Sequence, residues 1–253
     1  MQYSTGSLLL DQVIGQFPEG RIIEIFGPKA SGKTTLCLNM LERNDCEAAF
    51  IDTEKSFWTN YANQIGVNLK RLLVSQPRSP NHVLALIEKL LKAPIIKLVV
   101  VDSIPAINDS NLHVTLSENL RKFQELAART KTTLVFTNQI RRDFNNKKYT
   151  PAGVGLPFYS SLRLELNRFK EVDGPYEAIG EDIEIEVKKN KFAPPFKKVL
   201  TRIYFGRGIS KTYEKIQLAI KNGLIHKRGN WYYVDGLTFQ GYYLLENYMR
   251  ANS

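Results

Sequence analysis

Sulfur and imidazole are scarce in this chain. Its 253 residues include 2 cysteines, Cys37 and Cys46, and 3 histidines, His82, His113 and His226. Two cysteines cannot build a disulfide framework, and the histidines are scattered without metal-ligand spacing. A reducing, cytoplasmic setting is the simplest expectation. The polar start, Met1 to Gly6, lacks the charged-then-apolar pattern of an export signal. No uninterrupted apolar run approaches membrane-spanning length, and no internal repeat or low-complexity tract appears. Secreted disulfide scaffolds, helical membrane proteins and solenoids are therefore not expected. Acidic residues are also short: 25 against 35 basic ones leave a net charge of +10. That balance favours a polyanionic partner, nucleic acid or an acidic membrane surface, although a merely soluble basic protein also fits it. Hydrophobic content of 43% and charged content of 24% suit a globular chain long enough for one sizeable core and a small second unit.

What is present is sharper. Gly27-Pro28-Lys29-Ala30-Ser31-Gly32-Lys33-Thr34-Thr35 fits the phosphate-binding loop: glycine, four residues, then Gly-Lys-Thr. Ile22 to Phe26 reads as the strand before it and Leu36 to Leu41 as the helix after it. The loop's backbone N–H groups would cradle phosphate oxygens, with the positive end of the new helix aimed at the same anion. Lys33 is expected on the β- and γ-phosphates and Thr34 on Mg²⁺. The ligand expected is a nucleoside triphosphate, ATP.

The middle of the chain alternates strand and helix. Ala48–Ile51, Leu98–Val101 and Thr133–Phe136 read as strands, and Val83–Leu91 and Ser117–Arg129 as helices. That order argues for an α/β fold with a parallel sheet covered on both faces, its ligand beyond the carboxyl ends of the strands. Glu54, Asp102 and Gln139 stand at such ends. After residue 160 the pattern becomes strictly alternating: Leu162, Leu164, Leu166, then Ile183, Ile185, Val187, then Val199, Thr201, Ile203, Phe205. These read as half-exposed antiparallel strands that extend the sheet. From Ser210 a small α+β unit is expected: a helix stopped at Asn222-Gly223, a strand at Trp231–Val234 and a final helix over Tyr242–Met249. The domains read are thus 1–209 and 210–253.

Phosphoryl transfer to water needs charge neutralisation, an aligned water and a cation on the developing charge. Asp102 is a candidate second partner for Mg²⁺. Glu54 either positions the attacking water or forms a surface salt bridge. Gln139 either senses the γ-phosphate or caps its strand. The cluster Lys188-Lys189-Asn190-Lys191 is either a solvated turn or a cation donor for a neighbouring subunit's ATP.

Taken together, Ser4 to Asp11, Gly20 to Pro28, Phe50 to Glu54, Val99 to Ser103, Asn138 to Ile140 and Lys189 to Lys197 resemble the bacterial RecA recombinase family in order and spacing, nearly end to end. The resemblance implies a RecA-like ATPase core that forms a head-to-tail helical filament on single-stranded DNA, performs homologous pairing and strand exchange, engages duplex DNA secondarily and has no membrane role. It implies that Lys33 and Thr34 serve the nucleotide loop, Glu54 catalysis and Tyr61 the adenine, and that Asp102 and Ser103 form the second nucleotide motif. Gln139 would couple γ-phosphate to DNA, Lys189 and Lys191 would act across the subunit interface, and Phe158 would be an interface aromatic. The chain departs from the family in lacking its N-terminal docking segment and its acidic C-terminal tail, in a short first DNA loop between Ile104 and Leu116, in a short, divergent second loop from Ile140 to Leu156, and in Lys29 at a usually acidic position. Weaker or altered self-assembly is the expectation, and a compact phage or mobile-element form suits the pattern. The competing readings are a non-motor module that binds or anneals single strands and a ring-forming ATPase of the same fold.

The second loop reads Arg141, Arg142, Phe144, Lys147, Lys148, Tyr149. Cations interleaved with aromatics suit a single strand, meeting phosphates and bases respectively; a solvated loop is the alternative. Gly153 and Gly155 would permit close backbone approach. Lys227 and Arg228, ahead of Trp231, are a second basic patch, for duplex DNA by resemblance or merely a solvated hairpin.

Overall fold

The computed structural model describes residues 3–15, 17–106, 112–142, 148–151, 153–174 and 177–252. In chain order its elements are α1 (Leu8–Ile14), β1 (Ile22–Gly27), α2 (Lys33–Asn44), β2 (Ala48–Asp52), α3 (Thr59–Ile65), β3 (Leu72–Ser75), α4 (Pro80–Lys92), β4 (Leu98–Asp102), α5 (Leu112–Thr130) and β5 (Thr133–Gln139). Then come β6 (Arg141–Arg142), β7 (Lys148–Tyr149), α6 (Gly155–Tyr159), β8 (Leu162–Asp173), β9 (Ala178–Asn190), β10 (Lys198–Tyr204), β11 (Gly208–Ile209), α7 (Lys211–Lys221), β12 (His226–Arg228), β13 (Trp231–Val234), β14 (Leu237–Gln240) and α8 (Tyr242–Ala251).

Nine strands form one sheet in the order β11-β10-β9-β8-β1-β5-β4-β2-β3. Strands β1 to β5 run parallel. β8 also joins β1 in parallel, then turns back so that β9, β10 and β11 continue antiparallel. The alternating segments thus extend the sheet as expected, with β8 as the hinge between the two senses. β4 shows why its sequence is a continuous apolar run: Leu98 and Val100 enter the core under α2, and Val99 and Val101 enter the core under α4 and α5. A strand buried on both faces needs apolar residues at every position.

Helix starts follow local chemistry. Ser7, Ser79 and Ser210 each cap a helix through the side-chain oxygen, and Pro80 follows Ser79, a pairing that stabilises by ~1 kcal/mol per cap. α5 runs from Leu112 rather than from Ser117, and no glycine or proline interrupts it before Thr130.

The C-terminal elements have their own small core of Ile216, Ile225, Tyr232 and Leu245. Buried Glu214 ties α7 to α1 and β10, accepting from Ser7 Oγ at 2.5 Å, Leu8 N at 2.6 Å and Thr201 Oγ1 at 2.7 Å. Arg202 donates twice to Asp182, at 2.7 and 3.1 Å, and lies over the rings of Tyr213 and Tyr242.

Candidate active site

β1 delivers the chain into the phosphate loop at Gly27, directly opposite Gln139 of β5. Glycine is required there by proximity, since a Cβ on Gly27 would sit 2.2 Å from the carbonyl oxygen of Leu166. Gly32 precedes α2 at φ +83° and meets Ile203. Lys33 folds over the loop, donating to Pro28 O at 2.5 Å and Gly27 O at 3.3 Å. Burial lowers its pKa, while the nearby Asp102 and Glu54 carboxylates oppose that shift.

Thr34 Oγ1 donates to Asp102 Oδ2 at 2.6 Å, and Thr137 donates its hydroxyl to the other carboxylate oxygen. Burial raises the Asp102 pKa against the pull of those two hydrogen bonds. A hydroxyl and a carboxylate side by side beneath a phosphate loop are hard oxygen donors of the kind magnesium takes together with substrate phosphates. The Asp102–Ser103 peptide is cis. Ser103 then donates its hydroxyl to Glu54 Oε1, an oxygen that Gln139 Nε2 also approaches, at 3.5 Å. Glu54 itself is exposed to the cavity and solvent.

These groups line a cavity of about 640 Å³. Tyr61 stands in its wall, its hydroxyl 2.9 Å from Thr35 Oγ1, and the exposed Trp58 ring stacks beside it. Four lining residues of the later strands carried no motif: Glu181, Ile183, Ile203 and Phe205. They arrive from the antiparallel extension, far along the chain, where Ile183 of β9 and Ile203 of β10 both come up against Gly32 of the phosphate loop. Arg141, read as a DNA residue, also lines this cavity.

Lys189 and Lys191 do not line it. They stand at the end and just past the end of β9, where Lys189 Nζ donates to the carbonyls of Pro157 and Phe158 at 2.7 and 2.8 Å, and Lys191 is exposed. Phe158 is 71% exposed, its ring set edge-on against Tyr159 at 5.2 Å and its carbonyl bound by Lys189. Their neighbour Lys188 is paired with Glu165 and Glu186.

The second loop begins and ends in a two-stranded ribbon that pairs Arg141 with Tyr149 and Arg142 with Lys148. Phe144 and Lys147 lie outside the described residues, as do the side chains of Arg142 and Lys148. Tyr149 is exposed, and Gly153 holds φ +60°. A Cβ on Gly155 would lie 2.3 Å from Ser117 Oγ, so this glycine lets α6 pack closely on α5. Lys227 and Arg228 are exposed on β12 but sit opposite Tyr232 and Trp231 respectively. Successive strand residues face opposite sides, and Lys227 lies over the Tyr232 ring, so the two do not form a single patch.

Comparison with known proteins decides the family. A family model described as the RecA N-terminal domain matches residues 1–210. The chain belongs to the RecA family. It is 39% identical over 273 residues to Protein RecA of Mycoplasma mobile, covering 99% of this chain and 82% of that one. It is 41% identical over 253 residues to Protein RecA of Borrelia hermsii, covering 90% and 71%. Among solved structures it is similar to the RadB recombinase, with 27% identity and a TM-score of 0.67 over 81% of this chain and 97% of that one. The RecA-like α/β core with its antiparallel extension is therefore confirmed. Among the described residues, no helix is long and apolar enough to cross a membrane.

Proposed function

We propose that this RecA family member hydrolyses ATP in the cavity between Gly27 and Asp102 when single-stranded DNA occupies its second loop, and that it does so as a head-to-tail filament that pairs and exchanges strands. An ATP-dependent recombinase role in homologous recombination and repair goes with the family. The carrying observation is convergence: Lys33, Thr34, Glu54, Asp102 and Gln139 come from four strand ends and line one cavity.

In this reading the loop N–H groups and Lys33 hold the triphosphate. Thr34 and Asp102 would hold Mg²⁺, which when bound neutralises phosphate charge. Glu54 orients the attacking water and draws off its proton, its carboxylate aimed by the Ser103 hydroxyl. Gln139 reports the γ-phosphate to the second loop through the continuous backbone of β5 and β6. Tyr61 faces the base. Lys189, Lys191 and Phe158 face the next subunit, because they sit away from their own cavity and the turnover step needs a cation. The loop cations and Tyr149 hold the single strand, and Lys227 or Arg228 meets duplex DNA. Residues 1–209 act as the ATPase core and 210–253 as a small domain, a division supported by the separate core around Ile216.

The test is ATP turnover with and without single-stranded DNA at low salt. Turnover is expected to rise with DNA, to vanish in Lys33→Ala, and to fall by ~10²–10⁴-fold in Glu54→Gln with nucleotide binding retained. Hydrolysis indifferent to DNA would sink the reading. Electron microscopy with an ATP analogue and single-stranded DNA separates a helical filament from a closed ring.

A further inference from the structure

A row of polar side chains crosses four adjacent strands beneath the second loop. Glu24, in the middle of β1, is fully buried, an unusual place for a carboxylate without partners. It has two. Arg163, its register neighbour on β8, donates to Glu24 Oε2 at 2.5 Å. Asn138 on β5 donates to Glu24 Oε1 at 2.9 Å. The row continues outward, since Lys189 of β9 is the register neighbour of Arg163.

Both ends of this row hold the same segment of chain. Asn138 Nδ2 also donates to Pro151 O at 2.9 Å. Lys189 Nζ donates to Pro157 O and Phe158 O. The return limb of the second loop is thus held at Pro151 by Asn138 and at Pro157 and Phe158 by Lys189, the two side chains that flank the Glu24–Arg163 pair across the sheet. The Asn138 amide oxygen accepts from the backbone N–H of Gln139 at 2.9 Å, so the same amide that grips the loop also fixes the residue touching Glu54.

We propose that Glu24 is a positioning residue that keeps the Gln139 end of the cavity and the return limb of the second loop in one register, so that DNA on the loop is felt at the nucleotide. It touches neither ATP nor DNA. Its charge balances Arg163 and, beyond it, Lys189, and its second oxygen orients Asn138. Without the charge Arg163 is left half-satisfied, the Asn138 amide is free to turn, and the loop's hold on Gln139 slackens. This inference rests on the reading that single-stranded DNA on the second loop stimulates hydrolysis at this cavity.

The experiment compares the ratio of DNA-stimulated to DNA-free ATP turnover in the full chain and in Glu24→Gln, with thermal stability and ATP-analogue affinity measured alongside. The glutamine keeps the shape and one acceptor but drops the charge. The expected result is a ratio lower by about tenfold, inside the usual range of site-to-site coupling, with DNA-free turnover and analogue affinity unchanged. A ratio equal to that of the parent chain overturns the proposal. If Glu24→Gln does not fold, Glu24→Gln with Arg163→Gln removes both charges. A double variant that folds and still lacks stimulation supports the proposal. One that regains full stimulation shows that the pair serves stability alone and overturns it. A parent chain that shows no stimulation at all refutes the functional reading instead, and the two failures are thereby distinguished.

Discussion

Thr34 and Asp102, 68 positions apart in sequence, share a hydrogen bond of 2.6 Å. One is the first hydroxyl of the helix after the phosphate loop and the other ends a strand two places away in the sheet. The contact places a hydroxyl oxygen and a carboxylate oxygen where one small hard cation would reach both.

Magnesium dependence should therefore be graded along this contact. Asp102→Asn is expected to abolish turnover at millimolar Mg²⁺. Thr137→Val removes only the hydroxyl bound to the second Asp102 oxygen, and such outer partners typically shift metal affinity by ~10–100-fold. Titrating turnover with Mg²⁺ reads this as a rightward shift at preserved maximal rate. A Thr137→Val curve that overlays the parent would remove magnesium from this pair.

The lysines at the end of β9 should work on a neighbour. Lys189→Ala with Lys191→Ala is expected to cost about 10³-fold in turnover, the low end for a cation supplied across an interface. The informative measurement is a mixture of that chain with Lys33→Ala. Each lacks what the other holds, so mixed assemblies regain hydrolysis that neither parent shows. A mixture no faster than its parents would place the lysines outside the reaction.

Two neighbouring glycines should behave differently on substitution. Gly155→Ala drives a Cβ into Ser117, an overpacking expected to cost about 1–3 kcal/mol and visible as a lower Tm. Single-strand affinity of the folded protein should hardly change. Gly153→Ala meets its left-handed φ instead and costs about 1 kcal/mol, but it stands in the loop and should weaken DNA binding. If Gly155→Ala loses affinity without losing stability, DNA contact belongs at that position.

Much of the cavity could be read from sequence because its chemistry is local. The span from Gly27 to Thr34 contains its own reason for being a loop, and Asp102 and Gln139 each end an apolar strand. Glu54, Asp102 and Gln139 meet because parallel strands bring their carboxyl ends together whatever the register. Other features depended on register, which no short stretch encodes. Alternation at Leu162, Leu164 and Leu166 signals a strand but not that it lies parallel to β1. Ile203 and Phe205 gave no hint that they reach the nucleotide loop. Nothing around Gly155 in sequence announces Ser117 of α5, the side chain that a Cβ there would strike. Glu24, Glu214 and Arg202 are charges in apolar surroundings, and their partners come from distant strands and helices. Sequence shows the charge but not the hydroxyl or guanidinium that makes its burial tolerable.

Glu214 offers a pH test of that burial. Burial raises its pKa above the ordinary carboxylate value, although Ser7, Thr201 and the Leu8 N–H all pull the other way. Between the unfolded and folded values the native state keeps a proton that the unfolded chain has released. The native state then binds more protons, and linkage makes this group's contribution to stability rise as pH falls through that window. The contribution is complete below the unfolded pKa, about 4.3, and is lost as pH climbs through the folded one. Glu214→Gln does not titrate. It also sacrifices an acceptor for Leu8, which is a constant penalty, so the slope carries the information and the offset does not. The difference in Tm, variant minus parent, should therefore climb as pH rises from about 4. A difference that falls with pH would mean that the ionised carboxylate is the favoured form, and that the clasp between α7 and α1 is held by charge rather than in spite of it.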